Sequence, residues 1–209
     1  SGSQAMDLSG FLLFCGVYAV AVYSPGPAVA AVVARVLAVG IPRTAPFIWG
    51  IVAGDLVWFV LVALGLAALA QNFQTLFLVI KYAGVAYLLY LAWKLWTAPA
   101  DAPKEAPQAR GEGWKLFLGG LALTMGNAKV MVFFVSILPL VVDLNAMSLL
   151  TAVELSALML TILSAAMWTY ALAASRARRL ITSPRAMRLV NRGTGAAMAG
   201  AAVAVAARG

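Results

Sequence analysis

The chain has 209 residues, 64% of them hydrophobic and 11% charged, with a formal net charge of +8. Soluble domains carry roughly 45–50% apolar and about 25% charged residues, so this composition, with a mean hydropathy of +0.95, belongs in a bilayer. With a single cysteine (Cys15) and no histidine, a disulfide scaffold is excluded, and no His- or Cys-based metal centre or cofactor is expected. The positive charge does not read as a nucleic-acid surface, because the basic residues lie in short connections between apolar runs. Ser1 to Ala5 read as a vector-derived leader before a start at Met6, and no basic region precedes the first apolar run as a cleavable signal requires.

Six apolar segments follow in order, approximately 11–37, 46–70, 75–96, 116–141, 148–174 and 193–207. The sixth is short, and is expected to extend back to Met187 with its arginines snorkelling. The expected architecture is an all-α integral membrane protein of six transmembrane helices in one domain over residues 6–209. A first half over 8–96 and a second half over 114–207 flank a Pro-, Ala- and charge-rich cytoplasmic linker over 97–113. Twelve Lys and Arg residues fall in or beside the odd-numbered connections, among them Arg35, Arg43, Lys94, Arg178 and Arg192. The positive-inside rule makes those connections cytoplasmic and puts both termini outside (N-out/C-out). Three spans per half make the halves enter from opposite sides, the inverted-repeat arrangement of many transporters.

Within the first segment Ser24-Pro25-Gly26-Pro27-Ala28 cannot continue a helix, since each proline removes a donor and clashes with the preceding turn. Broken backbone at membrane depth is tolerated only where it is buried in protein or lines a cavity. The fourth segment carries a counterpart, Gly126-Asn127-Ala128-Lys129. Interruptions at corresponding places in two halves point to a central site. Two ionisable residues share that depth: Asp55 in the second segment and Lys129 in the fourth, each near the midplane when counted at about 1.5 Å per residue. Such charges are site candidates by default.

The substrate-site candidates are accordingly Pro25, Gly26, Pro27, Ala28, Asn127 and Lys129. Freed amides from Gly26 to Val29 are expected to hold a substrate carboxylate. Lys129 either adds positive charge there or pairs with Asp55, and Asp55 takes the substrate ammonium or a coupling proton. Lys81 and Glu154, in the outer parts of the third and fifth segments, are secondary candidates that pair or snorkel. Gly50 and Gly54 read as a close helix contact, Arg35 as a snorkelling anchor, and Tyr23, Trp49, Trp58, Trp168 and Tyr170 as belt or packing aromatics.

These motifs resemble the lysine-exporter (LysE) and homoserine/threonine-exporter family of amino-acid translocators. The resemblance is carried by Ser24 to Ala28, then Gly40, Gly50, Gly54-Asp55 and Gly65-Leu66. It continues through Lys81 to Leu88, and through Gly126 to Lys129 with Leu138-Pro139 and Asp143. That family usually has Asn where this chain has Ala28, and Pro where it has Ala128. The resemblance implies export of an amino acid or related metabolite across a bacterial-type cytoplasmic (inner) membrane, driven by an ion gradient, with protons the expected coupling ion. The implied partners are a small-molecule substrate and membrane lipid, with a homo-oligomer left open. Rival readings are a thiol-relay electron carrier, which needs two thiols where only Cys15 exists, an exporter of a metal cation, and a non-transporting membrane scaffold.

Overall fold

The computed structural model describes residues 7–65, eight positions between 82 and 97, 112–144, 146–180 and 183–207. Among them no strand occurs. The described elements are α1 (Leu8–Tyr23), α2 (Pro27–Val39), α3 (Ala45–Ala63), α4 (Glu112–Met125) and α5 (Ala128–Val132), then a π-helical turn (Phe133–Ile137), α6 (Leu138–Val141), α7 (Leu149–Arg179) and α8 (Pro184–Ala207). Glu112 and Gly113 belong to α4. Residues 98–111, within the expected linker, and Lys81 lie outside the described residues.

Among the described residues two helices, α3 and α7, are by themselves long and apolar enough to cross a membrane. Two bent pairs bring that to four when each is counted as one broken span: α1 with α2, bent by 53°, and α4 with residues 129–135, bent by 55°. The chain is a multi-pass membrane protein. At about 1.5 Å per residue α7 is roughly 46 Å long, more than a hydrocarbon core of about 30 Å. Its last turn carries Arg176, Arg178 and Arg179, charges suited to the part of the helix that exceeds the apolar layer. The last helix starts at Pro184, so the sixth segment does extend back past Met187.

The helix ends follow from local chemistry. Asp7 and Ser148 accept from the backbone of Gly10 and Thr151, capping α1 and α7. Gly40 ends α2 at φ +83°, a left-handed conformation that costs residues with a Cβ but not glycine. Arg178 then packs over Gly40 and donates to the Leu37 carbonyl at 3.2 Å, a cation at a helix C-terminus. Arg35 is not a snorkelling anchor. It is 6% exposed, donates to the Arg43 carbonyl at 3.1 Å and lies over the Phe47 ring. The α2–α3 turn folds back over it, so its guanidinium meets protein instead of reaching for the interface.

Near the middle of the molecule α3 and α4 pack backbone against backbone. A Cβ on Gly50 would stand 2.0 Å from the Phe117 carbonyl oxygen, one on Gly120 2.1 Å from that of Phe47, and one on Gly54 2.5 Å from the Thr124 Cβ. This is the close helix approach expected of small residues spaced four apart in a membrane, and it seats Thr124 beside Asp55. Gly120→Ala should lower the melting temperature of the purified protein by at least about 4 °C, since the obstruction is backbone and cannot move aside. Gly16→Ala, where a Cβ meets nothing within 4 Å, should leave it unchanged or slightly higher.

Candidate functional site

The first break behaves as its prolines dictate. α1 stops at Tyr23, and α2 restarts with Gly26 as N-cap and Pro27 in its first turn, the place where a missing donor costs nothing. The first intrahelical bond of α2 runs from the Ala30 amide to the Gly26 carbonyl at 2.9 Å. The amides of Ala28 and Val29 therefore have no intrahelical acceptor, and Gly26 has no side-chain oxygen to cap them.

The second break is closed differently. Asn127, 2% exposed, accepts from the Lys129 amide at 3.1 Å through its side chain and so caps α5. Four residues on, the helix widens to a π turn, where the Leu138 amide reaches back to the Phe133 carbonyl. Proline at 139 has no amide to donate to a carbonyl one α-turn earlier, and a π adjustment accommodates that. The proline was visible in the sequence; its consequence was not drawn from it.

The carbonyls left over by the first break are taken by side chains of the second half. Lys129 Nζ donates to the Ser24 carbonyl at 2.6 Å, and the Tyr170 hydroxyl donates to the Tyr23 carbonyl at 2.6 Å. Tyr170 is thus more than a packing aromatic. Asp55, 5% exposed, accepts from the Tyr18 hydroxyl at 2.7 Å. Lys129 acts on it through its charge while its own hydrogen bond goes to Ser24.

Tyr18 is the site residue that sequence reasoning missed. It is 1% exposed, stacked on Phe14 and tilted against Phe133 of the π turn. The available signal was a phenol in an apolar span, since a buried Tyr hydroxyl needs a partner.

These groups surround one cavity of about 50 Å³, room for about three waters. Gly26, Ala28, Asn127, Lys129, Asp55 and Tyr18 all line it, and the rest of its wall is mainly aliphatic and aromatic, from Val29, Ile51, Phe134, Leu163 and Met167 among others. Pro25 and Pro27 are not on the lining; they make the break rather than face the space. Glu154 is exposed near the start of α7 and does not line the cavity. Among the described residues Cys, Asp and Glu side chains nowhere gather in threes as a metal site requires.

Comparison with known proteins decides the family. The model of the LysE type translocator matches residues 19–209. The chain belongs to the LysE type translocator family. Members of that family are transporters, not enzymes. Among LysE relatives, a leucine efflux protein of Klebsiella pneumoniae is 30% identical over 141 residues, 67% of this chain and 66% of the relative. An uncharacterized membrane protein of Pseudomonas aeruginosa is 35% identical over 94 residues, 42% of this chain and 43% of its own. An uncharacterized membrane protein of Vibrio cholerae is 25% identical over 187 residues, 90% of this chain and 91% of its own. The chain therefore aligns with just under two thirds of the Klebsiella protein and less than half of the Pseudomonas one. No solved structure matches it.

Removing the Tyr18 hydroxyl should leave a buried carboxylate short of a donor. Tyr18→Phe is expected to destabilise the protein by about 1–3 kcal/mol, read from denaturation of the purified protein. In an Asp55→Asn background the same change should cost much less. Additive effects in that double-mutant cycle would show that the contact does not couple the two residues.

Proposed function

We propose that this chain is a secondary active exporter that moves an amino acid or related small metabolite out of the cytoplasm by alternating access, coupled to the proton gradient. The observation that carries the reading is the cavity on which both helix breaks and the buried carboxylate Asp55 converge. The relatives named leucine efflux proteins favour an amino-acid cargo, and the mostly apolar wall favours one with a neutral side chain.

In this mechanism the uncapped amides of Ala28 and Val29 receive the substrate carboxylate at the positive end of α2. Asp55 carries the coupling proton or meets the substrate ammonium. Its pairing with Tyr18 suits either role, because the phenol fixes the carboxylate at the cavity wall without neutralising it. A cavity with room for only a few waters must widen to admit an amino acid, as a site that alternates between two sides requires. The arrangement we infer around it is six spans in two inverted three-helix halves, with both termini outside and the arginine-rich end of α7 in the cytoplasm of a bacterial-type inner membrane.

The test is counterflow and gradient-driven transport of radiolabelled amino acids in proteoliposomes. Asp55→Asn should reduce gradient-driven export by about tenfold or more, in line with the loss of a charged hydrogen-bonding group. Full export by Asp55→Asn, still responsive to an imposed proton gradient, would remove Asp55 from the mechanism. Absence of transport of any amino acid by the wild-type protein would instead argue for a non-transporting scaffold.

A further inference from the structure

Lys129 lines the cavity, while the Ser24 carbonyl that its ammonium binds lies just outside the lining, at the break. α1 ends with its carbonyls directed past the break. The Val20 carbonyl is recovered by the Ser24 amide, that of Tyr23 by Tyr170, and that of Ser24 by Lys129. A few residues later α2 opens with the unclaimed amides of Ala28 and Val29. One short stretch thus presents a carbonyl that binds an ammonium beside two donors suited to a carboxylate, the two halves of an α-amino acid zwitterion.

The ammonium now on that carbonyl arrives from across the cavity. Lys129 is half-buried, belongs to the segment after the second break, and lays its side chain over Gly26. A Cβ on Gly26 would lie 3.4 Å from both Cδ and Nζ of Lys129. At that distance a methyl group there would only touch the lysine chain, which passes over the glycine on its way to Ser24.

We propose that the Ser24 carbonyl is the subsite for the substrate's α-ammonium group, and that Lys129 occupies it as a tethered stand-in which an α-amino acid must displace. This rests on reading the cavity as an amino-acid site and goes further: Lys129 becomes a competitor of the substrate rather than its ligand. Displacement frees α5 from the first break, so binding in one half is felt in the other. Asp55, already held by Tyr18, is left to the coupling proton. The ligand class is a primary α-ammonium with its carboxylate, and the des-amino acid of the same skeleton has nothing with which to displace the lysine.

Purified wild-type protein and the variants Lys129→Met and Lys129→Gln, each checked for monodispersity, would be screened by thermal stabilisation against the twenty amino acids. Affinities would then be measured for each binder and for its des-amino carboxylic acid. Competition by the lysine predicts that the affinity ratio of amino acid to des-amino acid rises in both variants by about tenfold or more, the scale of one charge-assisted hydrogen bond. A ratio that stays level or falls in either folded variant overturns the subsite assignment while leaving the exporter reading intact. Failure of every amino acid to bind wild type and variants alike overturns the exporter reading and the subsite with it.

Discussion

The structure depends on the pairing of the backbone groups that the Pro25-Gly26-Pro27 break sets loose. In a low-dielectric interior each unpaired carbonyl or amide costs several kcal/mol, so a broken helix there survives only if other elements come to meet it. Here they do so from far along the chain. Lys129 is 105 residues from Ser24 and Tyr170 is 147 residues from Tyr23, and both donate to the end of α1. The break therefore acts as a junction to which the α5 segment and α7 are tied. The cavity is the space that remains at that junction.

A second constraint holds the carboxylate in place. Because Gly50, Gly54 and Gly120 lack side chains, α3 and α4 approach until backbone meets backbone, and the Thr124 hydroxyl reaches the Ile51 carbonyl at 3.3 Å. Asp55 follows Gly54 directly and is carried onto the same wall as Asn127, which follows α4 by two residues. Tyr18 completes the arrangement from α1. Its ring rests on Phe133, the first residue of the π turn, so the partner of Asp55 touches the widened segment beyond the second break.

What could be read from the sequence was local. The two breaks were legible because proline and glycine act on their own backbone whatever surrounds them. Asp55 and Lys129 were legible because a charge in an apolar run is conspicuous, and Gly50 with Gly54 because their spacing matches one helix face. The partners were not legible. Tyr18 and Tyr170 are amphipathic, and in an aromatic-rich apolar sequence their rings speak louder than their hydroxyls. Which of them meets a carboxylate and which a carbonyl depends on contacts that span tens to over a hundred residues. Arg35 was misread for the same reason: snorkelling is the expectation for an isolated helix, but the turn through Gly40 brings the Arg43 carbonyl and the Phe47 ring onto it.

The two breaks are alike in position and unlike in how they are finished, and the difference bears on function. At the second, Asn127 supplies its own cap, so the start of α5 needs no outside acceptor for the Lys129 amide. At the first, Gly26 supplies none, and Ala28 adds only a methyl group. Had Ala28 been asparagine, its side chain would have competed for the same donors and carbonyls that a ligand uses. In the mechanism we propose, recognition falls to the backbone, with the amides of Ala28 and Val29 on one side and the Ser24 carbonyl on the other. Backbone groups read charge and hydrogen-bonding pattern but little else, so the proposal leaves discrimination between side chains to the apolar wall of Val29, Ile51, Phe134, Leu163 and Met167. A site of the proposed kind would hold the zwitterion with backbone groups that only a proline could remove, and would leave its selectivity to the side chains of the wall.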